Sequence, residues 1–173
     1  KQRELIYKQR NQVLDGMDLN DTILKMLDTN IDENVRNYLA GDKKDDWNIN
    51  GLREKYLGWL TSADDFEDIN TVEVDDVIET LTNRGHQHLA EKREMLGDDM
   101  YNDFQRMVLL RNVDTLWMDH IDAMDDLKQG IHLRSYAQQD PVVAFRMESY
   151  DMFDEMTATI RENTVRMLLT LIP

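Results

Sequence analysis

A chain of 173 residues with 41% hydrophobic and 32% charged residues can form one domain or two small ones, and it exposes a large wetted surface, a balance that suits an elongated helical protein better than a sphere. Its formal net charge of −15 excludes a nucleic-acid binder acting alone, because phosphate recognition needs a basic face. Zero cysteines exclude disulfides, a thiol nucleophile and thiolate metal sites, and no apolar run approaches the roughly 18–20 residues that span a bilayer.

Only 2 prolines and 7 glycines interrupt the chain, so long helices are allowed. The first is expected over 1–14, where Leu5, Ile6, Val13 and Leu14 stand between Lys, Arg and Gln. Lys1 opens within this pattern, without a cap or an initiator methionine, so the chain reads as a piece of something longer. Asn20 or Asp21 is placed to cap a second helix, with Ile23, Leu24, Leu27, Ile31, Val35 and Leu39 on one face. A polar break, GDKKDD, follows at 41–46, and then a small packed helical unit rich in aromatics: Trp47, Tyr56 and Trp59. The acidic stretch 63–76 reads as a loop, with Ile69, Val72 and Val74 as a weaker strand signal. A helix is expected from near Asp75 past Leu96, bent or weakened at Gly85 and Gly97.

The clearest pattern lies at 98–129. Leu110, Trp117 and Met124 recur every seven residues, as do Val113, His120 and Leu127, which predicts a packing seam on a helix about 45–50 Å long. Met100, Phe104, Met107 and Val108 extend the apolar face backwards. Gly130 is expected to stop this helix, and Asp140-Pro141 to restart the next as N-cap and first helical residue. The second helix carries the stripe Phe153, Met156, Ile160, Thr164, Met167 and Leu168, widened by Phe145, Met147, Tyr150 and Val165. Two long helices thus enclose one short tip at 130–141, which points to a lever or a probe instead of a catalytic pocket.

No Gly-rich phosphate loop and no nucleophile–base arrangement is present. His86 and His88, two residues apart, point to different helix faces and read as surface groups, not metal ligands. His120 reads as a packed or hydrogen-bonded side chain. Asp114, Asp119, Asp122, Asp125 and Asp126 read as a solvated face, with one or two of them paired to Arg or Lys of a partner element, since the Glu-x-x-His spacing of carboxylate metal sites is missing. The 11 methionines suit core filling or adaptable contacts. The tip composition fits equally a loop packed on further protein and a contact with flexible polypeptide or a channel mouth.

The runs LRNVDTLWMDHIDAMDDLKQGIHLRSYAQQDP and FRMESYDMFDEM closely resemble the SecA family, the motor ATPases of bacterial preprotein translocation. The opening ELIYKQRNQVLD is similar to the end of that family's long scaffold helix, and the segment with WNINGL and YLGWL to its wing, so the resemblance covers the whole chain. Gln139 and Ser135 depart from the lysine and glycine common at the family's tip.

The resemblance implies an all-α fold: a long helical hairpin, the two-helix finger, plus a scaffold helix segment with an inserted small helical wing domain. Residues 1–15 and 98–173 would form the scaffold, and 16–97 the wing. It implies a non-catalytic part of the translocation motor, which couples ATP-driven domain motion to preprotein movement and restrains ATP hydrolysis in the idle state. ATP and Mg would belong to motor domains outside this chain, and no metal site or cofactor is expected within it. The implied partners are those SecA motor domains, the SecYEG channel and an unfolded preprotein, with no nucleic acid and only peripheral membrane contact. The implied location is cytoplasmic, at the inner face of the bacterial cell membrane. Fingertip contacts fall to Leu133, Arg134, Ser135, Tyr136, Ala137 and Gln138, and hairpin packing to Leu110, Val113, Trp117, His120, Met124, Leu127, Phe153, Met156 and Ile160. From the residues alone, a stand-alone helical interaction or oligomerisation module is the alternative.

Overall fold

A computed structural model describes residues 1–15, 18–134 and 140–172, the side chains of 132–134 excepted. The described residues are all-α: six helices and two single-turn 3₁₀ segments, with no β-strand. The helices are α1 (Gln2–Leu14), α2 (Asn20–Tyr38), α3 (Ile49–Tyr56), α4 (Val74–Leu96), α5 (Asp98–Arg134) and α6 (Pro141–Thr170).

α5 and α6 form the hairpin. With 37 residues, α5 is about 55 Å long, and α6 with 30 residues about 45 Å. Asn112 bonds Thr164 near one end and His120 meets Phe153 farther along, so the two helices run antiparallel. α6 begins as its local chemistry dictates: the Asp140 carboxylate accepts the Val142 N–H at 3.0 Å, and Pro141 occupies the first turn, where its missing donor costs nothing. α1 lies antiparallel along α5, with Gln2 at His120, Arg10 at Asp114 and Val13 at Arg106.

α2, α3 and α4 pack beside this hairpin. Ile23, Leu27, Ile31 and Val35 of α2 are all fully buried, and Leu52, Tyr56, Val77, Leu81 and Leu89 close around them. Each such side chain removed from water stabilises the fold by about 1.5–3 kcal/mol. One continuous core joins these residues to Phe104, Val108, Leu109, Val113, Ile160, Val165 and Leu168 of the hairpin. α4 and α5 are separated by Gly97 alone. Its φ of +82° is open to glycine at little cost, its N–H caps α4 through Arg93 O, and Asp98 and Asp99 place negative charge at the start of α5.

Several local features differ from the sequence expectation. The cap of α2 is Leu19, and Asp18 Oδ1 accepts the Asn20 N–H, so neither Asn20 nor Asp21 caps it. Ile69–Thr71 forms a 3₁₀ turn held by Asp68, not a strand. Helix α4 runs through Gly85 without a break. α5 does not stop at Gly130 but continues to Arg134; an interior glycine costs only about 0.5–1 kcal/mol, and Ile131 beside it is buried. Finally, Leu5, Leu14, Met100, Met107, Met147 and Tyr150, read as parts of apolar faces, are exposed. The buried stripe of each helix is narrower than its apolar residues suggested.

Candidate interaction site: the hairpin and its two anchors

The inner face of the hairpin is built from Phe104, Val108, Leu109 and Val113 of α5 against Met156, Ile160, Val165 and Leu168 of α6. A polar layer crosses it: Asn112 Nδ2 donates to Val108 O at 3.0 Å and to Thr164 Oγ1 at 3.3 Å, both residues being buried. Of the seam residues named from periodicity, Val113, His120, Met156 and Ile160 are buried. Leu110, Trp117, Met124, Leu127 and Phe153 are half-buried. The side chains of Leu133 and Arg134, and all of Ser135, Tyr136, Ala137 and Gln138, lie outside the described residues.

A first anchor fastens α1 to the middle of the hairpin. The Gln2 side-chain amide donates to Ser149 O of α6 at 3.2 Å, and its Oε1 stands 2.8 Å from His120 Nε2 of α5. An amide oxygen only accepts, so the His120 proton sits on Nε2. His120 is sandwiched between Trp117, stacked at 5.5 Å between centroids, and the edge of Phe153 at 5.9 Å. Burial there lowers the His120 pKa, because the charged imidazolium loses water. Two turns on, Arg10 pairs with Asp114 at 2.9 Å, and Arg106 Nε donates to Val13 O.

A second anchor joins α2 and α3 to α6. The Tyr56 hydroxyl donates to Asn30 Oδ1 at 2.7 Å and accepts from Asn34 Nδ2 at 2.9 Å. Both asparagine amides also donate to Glu162 Oε1 at 3.3 Å, and Lys55 Nζ lies 3.0 Å from the same oxygen. Nearby, Arg161 bonds Glu33 at 3.1 Å. Burial pushes the Tyr56 phenol well above its ordinary value, so it stays a neutral donor.

Sequence reading expected a packed or hydrogen-bonded His120 and an Asp of this helix paired to Arg or Lys, as Arg10 and Asp114 are, but it missed Gln2 and the whole second anchor. The available signal was polar residues inside apolar stripes, Asn30 beside Ile31 and Asn112 beside Val113, which in a buried seam must find partners. Nothing local shows that Gln2 reaches His120, 118 positions away.

Beyond the first anchor the shaft presents two kinds of surface. Asp119, Asp122, Asp125 and Asp126 of α5 are exposed. So are Met118 and Ile121 of α5 and Val142, Val143, Met147 and Tyr150 of α6. An acidic and apolar shaft supports contacts with protein surfaces more readily than with phosphates. Among the described residues, no three His, Asp or Glu side chains gather where a metal ion could sit. His86 instead bonds Asp28 at 2.6 Å, and His88 is exposed. No helix of the described residues is long and apolar enough to cross a membrane.

Comparison with known proteins agrees with this architecture. Residues 1–172 match a family model described as the SecA Wing and Scaffold domain. A protein translocase subunit SecA from Caldicellulosiruptor saccharolyticus is 40% identical over 172 residues, covering 98% of this chain and 20% of the relative. Proteins of the same name from Heliobacterium modesticaldum, 38% identical over 167 residues, and Clostridium perfringens, 41% identical over 180, cover 95% and 97% of the chain and again 20% of each relative. The chain thus spans a fifth of the length of the curated relatives it matches, and it belongs to the SecA wing and scaffold family.

Proposed function

We propose that this chain is the non-catalytic transmission element of a protein translocase, with the hairpin α5–α6 as its moving part. The observation that carries this reading is the pair of anchors. Helices of 37 and 30 residues make a stiff shaft, and α1 and the α2–α4 group grip it at different points along its length. A rotation of either group is then transmitted along the shaft as a rigid-body movement.

On this reading residues 1–15 and 98–173 are the scaffold and 16–97 the wing. The two-helix finger carries its contact residues at the tip: Leu133, Arg134, Ser135, Tyr136, Ala137 and Gln138. Its partners are motor domains outside this chain, which bind ATP and Mg, a SecYEG-type membrane channel and an unfolded preprotein. It works at the cytoplasmic face of the membrane, without crossing it. By leaning on the motor domains the hairpin also restrains idle ATP hydrolysis. This chain supplies no catalytic group to that hydrolysis.

The test uses a single cysteine at position 136 in an otherwise cysteine-free translocase. A cysteine-bearing preprotein is stalled in the reconstituted channel with ATP. A disulfide from 136, and none from a shaft control at Asp122, is the expected result. Crosslinking from the shaft alone, or from neither position, removes the tip from the path of the moving chain.

A further inference from the structure

α1, α2 and α6 meet around an open groove of about 300 Å³, close to the second anchor. Its floor is apolar: Ile160 is buried and Met26 half-buried. Its walls carry Gln9 from α1, Thr22 and Thr29 from α2, and Thr157 from α6. Lys25 and Arg161 bring positive charge to a chain whose net charge is −15.

We propose that this groove binds an extended polypeptide segment in which an aliphatic side chain stands near a carboxylate. The inference rests on the reading above, that the chain handles polypeptide, and it adds a contact away from the hairpin tip. The charges define the ligand. Arg161 is already committed, donating to Glu33 at 3.1 Å. Lys25 is exposed and, among the described residues, makes no side-chain hydrogen bond or ion pair. The nearest carboxylates along its own helix are Asp21, which is exposed, and Asp28, which is held by His86. One free cation matches one carboxylate. It is too little for a polyphosphate or a nucleic acid, which an acidic chain also repels.

The walls define the rest. Gln9, Thr22 and Thr29 make no side-chain hydrogen bonds among the described residues, and each can both donate and accept. Such groups on facing walls suit the alternating N–H and C=O of an extended backbone. The floor admits an aliphatic side chain, and the unbranched Met26 can repack to its shape. Further apolar side chains are exposed along the same two helices. Leu5 stands one turn before Gln9 on α1, and Tyr150 two turns before Thr157 on α6, at 57% and 66% exposed. α6 starts at the tip side of the hairpin, so this surface leads from the groove toward the proposed fingertip contact.

The experiment uses the 173-residue chain and fluorescein-labelled Gly/Ser decapeptides with a central Leu-Ser-Asp, Leu-Ser-Lys or Ser-Ser-Ser, read by anisotropy. The Asp peptide is expected to bind at least tenfold more tightly than the other two. Lys25→Glu, at an exposed position that leaves the core intact, should reverse the order of the Asp and Lys peptides. A benzophenone amino acid replacing Thr157 should label the Asp peptide, and the same group replacing Asp122 should not. Equal affinities for the three peptides, an unchanged order in K25E, equal labelling from both positions, or no binding at millimolar peptide would each overturn the proposal. Loss of the position-136 crosslink with groove binding retained would sink the fingertip reading alone.

Discussion

A β-carbon on Gly85 would stand 2.5 Å from Leu27 Cδ2 and 3.3 Å from its Cγ, so α2 and α4 approach each other at a point only glycine leaves open. Both residues are buried, and because the Leu27 Cγ is also close, turning its terminal methyls still leaves a tight contact that Leu27 must move to relieve. Gly85→Ala gains about 0.5–1 kcal/mol of helix propensity. Overpacking costs about 1–3 kcal/mol and wins. The expected net loss is about 1 kcal/mol by urea denaturation. In a Leu27→Ala background the sign should reverse, to a gain of about 0.5–1 kcal/mol. A loss of equal size in both backgrounds would mean that the contact is not the cause.

Stability should fall as pH drops through the histidine range. His120 has a folded pKa below its ordinary 6.5, so the unfolded chain binds the proton more readily. Its contribution is complete above 6.5 and is lost as pH falls from there toward the folded value. A second loss follows lower. Arg84, 2.7 Å away, holds the Asp65 carboxyl below its ordinary 3.8, and that contribution disappears as pH falls through the folded value. The check is the urea midpoint at neutral pH, about one unit below 6.5 and about one unit below 3.8, in wild type and His120→Gln. The variant should lose the upper step and keep the lower one.

Removing one hydroxyl should loosen the second anchor. Tyr56→Phe leaves Asn30 Oδ1 without its donor at 2.7 Å, and Asn30 is buried. An orphaned buried acceptor costs about 1–3 kcal/mol. The loss should appear in thermal denaturation, accompanied by faster amide exchange in α3 and the facing turn of α6. Unchanged exchange in α6 would mean that Glu162 holds α2 without Tyr56.

Trp117 is half-buried, stacked on His120. Full burial of a tryptophan would make truncation to alanine cost about 3–5 kcal/mol. Partial exposure lowers the expected loss for Trp117→Ala to about 2 kcal/mol. The same variant opens the His120 ring to water, so its NMR-titrated pKa should rise toward the ordinary value. A pKa that stays put would assign the burial that depresses it to Phe153 and α1 instead.

The helices were legible because their hydrogen bonds and caps are local. Asp140-Pro141 marks the start of α6 from two residues, and the seven-residue spacing of Leu110, Trp117 and Met124 marks α5 as one long helix. Gly130 was misleading: a glycine can end a helix, but here the ladder and buried Ile131 outweigh its cost. Exposure was less legible. Met107 and Met147 are as hydrophobic as Met156, yet only Met156 of the three is buried.

The sequence by itself determined the all-α class, the long hairpin pattern, the acidic surface and the family resemblance, since each follows from composition, short-range spacing or extended motifs. Tertiary structure decided the rest: that Gln2 clips α5 to α6, that Asn30, Asn34 and Lys55 converge on Glu162, and that Leu27 needs a glycine at 85. Those relationships join residues tens to more than a hundred positions apart. No local pattern encodes which of several polar or apolar groups will meet once the helices choose their neighbours, because that choice is made by burial summed over the whole core.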